Sequence, residues 1–295
     1  MEQLKRIVDI SSRGGKVPPV YVYIVFILPG FTFSILASRE IHYIPFILSA
    51  ISIAPLMAAV NLYDDYFDFR YGYDKPDSPN TIYRKHPIFY YKVKEEYLLK
   101  WALLFSVIYF FLISLDSYLF DFEIILIGTL GFILGYGYTG PPLSYKYHGM
   151  GEIGVFTSVL LANLLVSTAC LGRVSFLEII YSIPFSLPIV LVYVVGNARD
   201  MESDSASGLK TIPVILGKEG VNTFILILTI LFYLSIILLV FMHIYDIYSL
   251  FLLITSPFAY FSVSGAVRKK SPSGEWLLGP YVFISLLSLA ILTIF

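Results

Sequence analysis

Four aspartates within eleven residues form the most chemically distinctive stretch of this sequence. They lie in Asn61-Leu-Tyr-Asp-Asp-Tyr-Phe-Asp-Phe-Arg-Tyr-Gly-Tyr-Asp74, directly after an apolar run. Asp64, Asp65 and Asp68 are spaced so that their carboxylates can converge on one side of a helix. Such a cluster is costly to desolvate without cations, and Mg²⁺ is commonly bound by one or two carboxylates together with substrate phosphates. The pattern predicts a magnesium site; the alternative is a solvated loop at a membrane surface, although no lysine is interleaved.

A second acidic stretch, Asn197-Ala-Arg-Asp-Met-Glu-Ser-Asp204, ends another apolar run about 135 residues later. Asp200 and Asp204 are four residues apart, so they share a helix face and can bind a second cation. Arg199 lies beside them, and Lys210-Thr211 follows in a turn that can present a cation and a hydroxyl group to phosphate. Together the two stretches predict a two-sided site for cations and a diphosphate.

A third stretch, Tyr136 to Glu152, is rich in Tyr, Gly and Pro and should form a structured loop. The ring of Tyr138 can shield a carbocation through its π face, and Lys146 can hold a leaving group. The alternative interpretation of the tyrosines is an aromatic belt at the membrane interface. Arg84, in a polar loop with Lys85 and His86, either binds phosphate or is an ordinary cytoplasmic charge.

The elements that carry these stretches are apolar. The chain has 295 residues, of which 57% are hydrophobic and 14% charged, whereas about a quarter of residues are charged in globular proteins. The net charge of −1 argues against a nucleic-acid partner. A single cysteine, Cys170, rules out an intrachain disulfide and a zinc cluster, and we expect it to be a small core residue.

Apolar runs long enough to cross a bilayer recur along the whole chain. A spanning helix needs about 20 largely apolar residues, and this rule predicts one domain, 1–295, with nine transmembrane helices. Residues 1–19 precede them as an amphipathic surface segment or a flexible terminus. The predicted spans are 20–38, 43–63, 97–115, 122–138, 153–171, 176–196, 221–241, 247–266 and 275–294.

The distribution of Lys and Arg predicts the orientation. With the N-terminus in the cytoplasm, 18 of the 20 basic residues lie on the inner side, and only Arg39 and Arg173 lie outside. The long loops 64–96 and 197–220 then both face the cytoplasm. The two acidic stretches are therefore expected at the same face of the plasma membrane.

These motifs resemble the UbiA superfamily of intramembrane prenyltransferases, and within it the 1,4-dihydroxy-2-naphthoate polyprenyltransferase group. That group's first motif, N-x-x-N-D-Y-F-D-x-x-x-G-x-D, is similar to Asn61–Asp74, with Asp64 replacing its second asparagine. Its second motif is similar to Asn197–Thr211, with Leu209 in place of a lysine and Lys210 next. Its middle signature, Y-T-G-x-P followed by G-x-G-E, is similar to Tyr138–Pro142 and Gly149–Glu152.

The resemblance implies an all-α membrane protein whose nine helices form a ring around a central cavity, capped by the two cytoplasmic loops. It implies transfer of a polyprenyl group from an isoprenyl diphosphate to an aromatic acceptor, 1,4-dihydroxy-2-naphthoate, in menaquinone biosynthesis. Two Mg²⁺ ions, with Mn²⁺ as an alternative, would assist the reaction. The expected metal ligands are Asp64, Asp65, Asp68, Asp200 and Asp204, the diphosphate contacts are Asn61, Arg84, Asn197, Arg199 and Lys210, and the catalytic residues are Asp68, Asp200, Lys146 and Tyr138.

Two alternatives remain open at this point. The same chemistry could serve another acceptor, such as 4-hydroxybenzoate, a haem or chlorophyll-type acceptor, or geranylgeranylglyceryl phosphate in ether-lipid synthesis. The second alternative is a non-catalytic cation transporter, which intramembrane carboxylates would support. Here the predicted carboxylates cluster at one membrane face, and Mg²⁺-dependent release of pyrophosphate would separate the two classes.

Overall fold

The computed structural model describes residues 25–83, 85–257, 259 and 273–294, apart from the side chains of Asn80, Tyr83 and 273–280. Within these ranges the chain forms α-helices and two 3₁₀ segments, Tyr145–Tyr147 and Ile247–Thr255, and no strand. The helices are α1 (Leu28–Ala37), α2 (Tyr43–Arg70), α3 (Pro79–Tyr83), α4 (Glu95–Leu119), α5 (Glu123–Gly137), α6 (Gly151–Leu171), α7 (Phe176–Ala206), α8 (Ile212–Phe241) and α9 (Ser273–Ile294).

Five of these helices, α2, α4, α6, α7 and α8, are long and apolar enough to cross a membrane. At about 1.5 Å per residue, even the 21 residues of α6 extend far enough for a hydrocarbon core about 30 Å thick. Helices α1 and α5 and the segment Tyr281–Ile294 are apolar but shorter. The predicted span 247–266 begins with a 3₁₀ segment rather than an α-helix. The N-terminal segment 1–19 lies outside the described residues.

Helices α2 and α7 extend beyond the predicted spans. We expected them to end at residues 63 and 196, but α2 continues to Arg70 and α7 to Ala206. Aspartates in both extensions recur at helical spacing, and Asp64, Asp65, Asp68 and Asp200 are buried, so polar, inward-facing turns continue each helix beyond its apolar part. The predicted cap loops 64–96 and 197–220 were therefore wrong in their bounds. Both begin with helix, α3 lies within the first, and α8 starts within the second.

Helix α6 packs in the middle of the described bundle. It contacts α5, α7, α1 and α2, while α2 also packs along α4 and α7 packs along α8. Close approach of α1 requires Gly30, because a Cβ atom there would lie 2.3 Å from the backbone oxygen of Asn163. Cys170 is fully buried in α6, as expected. This packing brings α2, α6 and α7 together, and their ends carry the polar stretches.

Candidate active site

The first acidic stretch faces inward from the last turns of α2. The side chains of Asp64 and Asp68 are almost fully buried, each residue being 4% exposed. The ammonium group of Lys146 bridges them, because Nζ donates to Asp64 Oδ1 at 2.7 Å and also to Asp68 Oδ2. The hydroxyl of Tyr147 donates to the other oxygen of Asp68 at 2.9 Å. Two loop residues thus hold two carboxylates of α2.

Local packing fixes the loop that supplies Lys146. Its backbone N–H donates to the carbonyl of Tyr138 at 2.9 Å, and the hydroxyl of Tyr145 donates to the carbonyl of Leu134 at 2.8 Å. The ring of Tyr145 also fills the space beside Gly154, where a Cβ atom would lie 2.2 Å from the ring. The loop therefore carries Lys146 on a rigid support.

Burial and charge act in opposite directions on Lys146. Burial lowers the pKa of the ammonium group, but the carboxylates of Asp64 and Asp68 raise it more, so the net shift is upward. Burial, reinforced by Asp68, raises the pKa of the Tyr147 phenol. Lys146 therefore stays charged and Tyr147 stays neutral, as their roles as hydrogen-bond donors require.

The second acidic stretch reaches the same cavity from α7. Tyr193, Asn197, Asp200 and Asp204 follow one another at spacings of four, three and four residues, so they form a stripe on one helix face. Asp204 lies close enough to Asp200, Asp74 and Lys146 to interact electrostatically with each of them. The cavity is lined by Asp68, Tyr73, Asp74, Ser78, Tyr138, Lys146, Tyr193, Asn197, Asp200, Ser203, Asp204, Leu209 and Thr211.

A further cluster joins the end of α2 to the segment that follows α3. Ligand atoms of Asp65, Asp74 and His86 all lie within 4.8 Å of one another. Two oxygens bound to one Mg²⁺ ion at 2.0–2.1 Å are at most about 4.2 Å apart, and the 4.8 Å limit on this cluster is only slightly larger. The donor set and its burial fit a hard divalent cation. Asp74 was absent from our predicted ligand set, although it ends the first motif.

His86 packs against this cluster. Its Nδ1 accepts a hydrogen bond from the backbone N–H of Ile88 at 3.2 Å, so a neutral imidazole carries its proton on Nε2. That nitrogen lies 3.1 Å from Asp74 Oδ2, which is an ion-pair distance. The carboxylate oxygens of Asp65 and Asp74 are the ligands of this cluster that Mg²⁺ prefers.

Some predicted diphosphate contacts lie elsewhere. Lys210 is exposed and is not among the residues that line the cavity in the described part of the chain. Arg199 forms two hydrogen bonds with its neighbour Asp200, at 2.9 and 2.7 Å. Asn61 is half-buried on α2, one turn before Asp64 and Asp65, and likewise is not among the lining residues. Arg84 lies outside the described residues.

Tyr193 is a lining residue that our sequence analysis missed. The hydroxyl of Tyr138 donates to the hydroxyl of Tyr193 at 2.9 Å, which fixes the ring of Tyr138. The Lys146 ammonium lies 5.3 Å from the centroid of that ring, so a cationic group already faces its π surface. The position of Tyr193, one helical turn before Asn197, was the available signal.

Comparison with known proteins gives matches over much of the chain. The sequence model of the UbiA prenyltransferase family matches residues 23–287. The 1,4-dihydroxy-2-naphthoate octaprenyltransferase of Bacillus subtilis (strain 168) is 28% identical over 174 residues, which are 57% of this chain and 53% of that enzyme. The chain thus spans about half the length of this curated relative.

Two solved structures have the same fold over nearly the whole chain. A digeranylgeranylglyceryl phosphate synthase superimposes with a TM-score of 0.66 and 20% identity, covering 100% of this chain and 99% of that one. A UbiA homologue from Archaeoglobus fulgidus, bound to GPP and Mg²⁺, has a TM-score of 0.64 and 14% identity, covering 98% and 99%. The multi-pass helical fold and the match over residues 23–287 lead to one conclusion: this chain belongs to the UbiA prenyltransferase family.

Proposed function

We propose that this protein transfers a polyprenyl group from an isoprenyl diphosphate to an aromatic acceptor in an Mg²⁺-dependent reaction. The observation that carries the proposal is the meeting of both acidic stretches with Lys146 in one cavity. Carboxylates for cations and an ammonium group for an anion are the groups that a metal diphosphate requires. The B. subtilis relative is named as an octaprenyltransferase, and the A. fulgidus homologue binds GPP and Mg²⁺, which supports the same chemistry here.

Two groups of oxygen ligands would hold the metal ions. Asp65 and Asp74, which lie beside His86, form one group, with Asp68 nearby on α2. Asp200 and Asp204 form the other group on α7. When bound, Mg²⁺ supplies positive charge that neutralises the diphosphate and stabilises it as a leaving group. Asp64 contributes through Lys146, because the two side chains are already paired.

The protein's own groups account for the rest of the reaction. As the bond between the allylic carbon and the diphosphate oxygen breaks, the ammonium of Lys146 donates hydrogen bonds to the pyrophosphate. The ring of Tyr138, anchored by Tyr193, presents its π face to the allylic cation. A carbon of the acceptor ring then forms the new carbon–carbon bond, and the proton on that carbon passes to the released pyrophosphate. The surrounding side chains exclude water that would otherwise capture the cation.

The membrane arrangement completes the proposal. Nine spans in a ring would enclose the cavity, and the segments after α2 and α7 would cap it from the cytoplasmic side. The excess of Lys and Arg on that side supports a cytoplasmic N-terminus in the plasma membrane. The prenyl chain would then extend from the cavity toward the lipid.

The preferred acceptor is 1,4-dihydroxy-2-naphthoate, in menaquinone biosynthesis. The motif resemblance and the B. subtilis relative both favour it. An acceptor that carries a phosphate, such as geranylgeranylglyceryl phosphate, would call for additional basic groups. Among the described residues that line the cavity, Lys146 is the one lysine or arginine, and Asp64 and Asp68 already engage it. This observation favours an uncharged or weakly charged ring over a phosphorylated acceptor.

A transfer assay tests the proposal directly. Purified protein in lipid nanodiscs is incubated with labelled geranylgeranyl diphosphate, Mg²⁺ and one acceptor per tube: 1,4-dihydroxy-2-naphthoate, 4-hydroxybenzoate or geranylgeranylglyceryl phosphate. We expect prenylated naphthoate, lost on chelation and in the Asp68→Ala and Asp200→Ala variants. A product with another acceptor would overturn only the acceptor assignment. Absence of both product and Mg²⁺-dependent pyrophosphate release would overturn the enzyme assignment and favour the transporter alternative.

A further inference from the structure

Glu152 is a buried carboxylate that the proposed reaction does not use. It is the second residue of α6, is 3% exposed, and ends the Gly149–Glu152 motif. In this first turn the free backbone N–H groups and the helix dipole favour a negative charge. Its Oε1 accepts a hydrogen bond at 3.0 Å from Nδ2 of Asn197, a residue 45 positions later on α7. The bond connects the start of α6 to the acidic face of α7.

The bond constrains which end of the Asn197 amide meets the cavity. The structure turns the nitrogen of the amide toward Glu152, which is the arrangement that an ionised carboxylate, an acceptor only, requires. Asn197 lines the cavity, whereas Glu152 is not among its lining residues in the described part of the chain. Because the nitrogen of the Asn197 amide is turned toward Glu152, its oxygen is the atom available to the cavity.

An amide oxygen suits this position better than an amide nitrogen. Hard divalent cations accept carbonyl oxygens of asparagine as ligands, and such a ligand adds no negative charge. Asp200 and Asp204 already repel each other on the same helix face, and Asp74 adds to this repulsion. A neutral oxygen ligand would therefore strengthen cation binding without further carboxylate repulsion.

From this geometry we infer that Glu152 is a positioning residue that orients the Asn197 amide, so that its oxygen faces the cation held by Asp200 and Asp204. The inference rests on the proposed function for the presence of that cation. It also revises the expected role of Asn197, which becomes a ligand for the metal rather than a donor to the diphosphate. Residues that orient metal ligands typically change metal affinity by 10- to 100-fold when they are removed.

The test measures cation binding by itself. Mn²⁺ is titrated by electron paramagnetic resonance into purified protein in nanodiscs, without a prenyl substrate. We expect Glu152→Ala to raise the Mn²⁺ dissociation constant about tenfold or more. Glu152→Gln should stay within about threefold of wild type, because a glutamine oxygen can accept the same hydrogen bond. In an Asn197→Ala background, Glu152→Ala should have no further effect, because both changes act through one group.

A charge exchange keeps the test decisive if Glu152→Ala does not fold. Asn197→Asp places two carboxylates in contact and should weaken Mn²⁺ binding. Adding Glu152→Gln should restore it, because the introduced amide can donate to the introduced carboxylate. Two results would overturn the positioning role. One is an Mn²⁺ dissociation constant raised as much by Glu152→Gln as by Glu152→Ala, and the other is a further increase when Glu152→Ala is added to Asn197→Ala. A wild-type protein that binds Mn²⁺ but transfers no prenyl group would overturn only the proposed function. The role of Glu152 would still be decided, because it depends on the Mn²⁺ dissociation constants of the variants and not on prenyl transfer.

Discussion

Replacing Asp64 with Asn should tighten binding of the prenyl diphosphate. Asp64 occupies a position where the resembled group has asparagine, and its Oδ1 lies 2.7 Å from the ammonium of Lys146. Under the proposed function, this carboxylate would compete with the diphosphate for Lys146 and would also repel it. Asn keeps a hydrogen-bond acceptor at the same place, so the substitution removes the charge and conserves the shape.

The size of the effect follows from the electrostatics of the pair. A hydrogen bond to a charged group contributes about 1.5–3 kcal/mol, against about 1 kcal/mol for a neutral one. The difference, roughly 1 kcal/mol, is the part of the Lys146 interaction that becomes available to the substrate. A tenfold change corresponds to about 1.4 kcal/mol, so we expect the KM for geranylgeranyl diphosphate to fall about fivefold. The Mg²⁺ concentration for half-maximal rate should rise, because the site loses one negative charge.

Steady-state kinetics in nanodiscs, with Mg²⁺ and the diphosphate varied separately, measure both quantities. Asp77→Asn is the matched control, because it makes the same charge change at an exposed loop residue. Asp68→Asn should instead lower kcat, since it weakens the contacts of Asp68 with both Lys146 and Tyr147. An unchanged KM in Asp64→Asn, or the same decrease in Asp77→Asn, would refute the competition between Asp64 and the substrate.

Three further perturbations probe the same site. Lys146→Met should reduce kcat about 100-fold or more, because it removes the ammonium group that donates to the leaving pyrophosphate; a rate near wild type in correctly folded protein would contradict its role. Tyr193→Phe should reduce kcat about three- to tenfold, because the Tyr138 hydroxyl loses its 2.9 Å acceptor; an unchanged rate would show that the pair does not fix the Tyr138 ring. Gly149→Ala should lower the free energy of unfolding by about 1–2 kcal/mol and the melting temperature by a few degrees, because Gly149 has φ +76° and a Cβ atom would lie 2.6 Å from Ile215. Gly131→Ala is the control, because a Cβ atom there meets nothing within 4 Å. Equal melting temperatures of the two variants would contradict the strain at Gly149.

Helix-period patterns could be read directly from the chain. The apolar runs predicted the helical membrane fold, and the spacing of Asp64, Asp65 and Asp68 predicted that they would face one side. The same rule, applied one turn further back from Asn197, would have found Tyr193. Hydropathy did not locate the helix ends, because it marks the lipid-facing part of a helix. Helices α2 and α7 continue beyond that part as polar, inward-facing turns.

Contacts between distant segments could not be read in this way. Lys146 was a candidate for holding the leaving group, but its pairing with Asp64, 82 residues earlier, depends on how the loop before α6 packs against α2. The 3.1 Å approach of His86 Nε2 to Asp74 Oδ2 likewise depends on how the segment after α3 packs against the end of α2. Exposure of Lys210 beside the buried Leu209 likewise depends on the turn between α7 and α8.

The sequence alone determined which residue types would supply the chemistry, since hydropathy and i, i+4 spacing are local properties that each segment carries by itself. It determined a helical membrane protein with two acidic helix ends and a family of related enzymes. Only the tertiary structure decided which carboxylates line the cavity, which pair with Lys146, and which, like Glu152, accept a hydrogen bond from a neighbouring helix. The physical reason is that hydrogen bonds and ion pairs act over about 3 Å. Asn197 and Glu152 are 45 residues apart in the sequence, and Lys146 and Asp64 are 82 residues apart, so the packing of α2, α6 and α7 sets the distances between them.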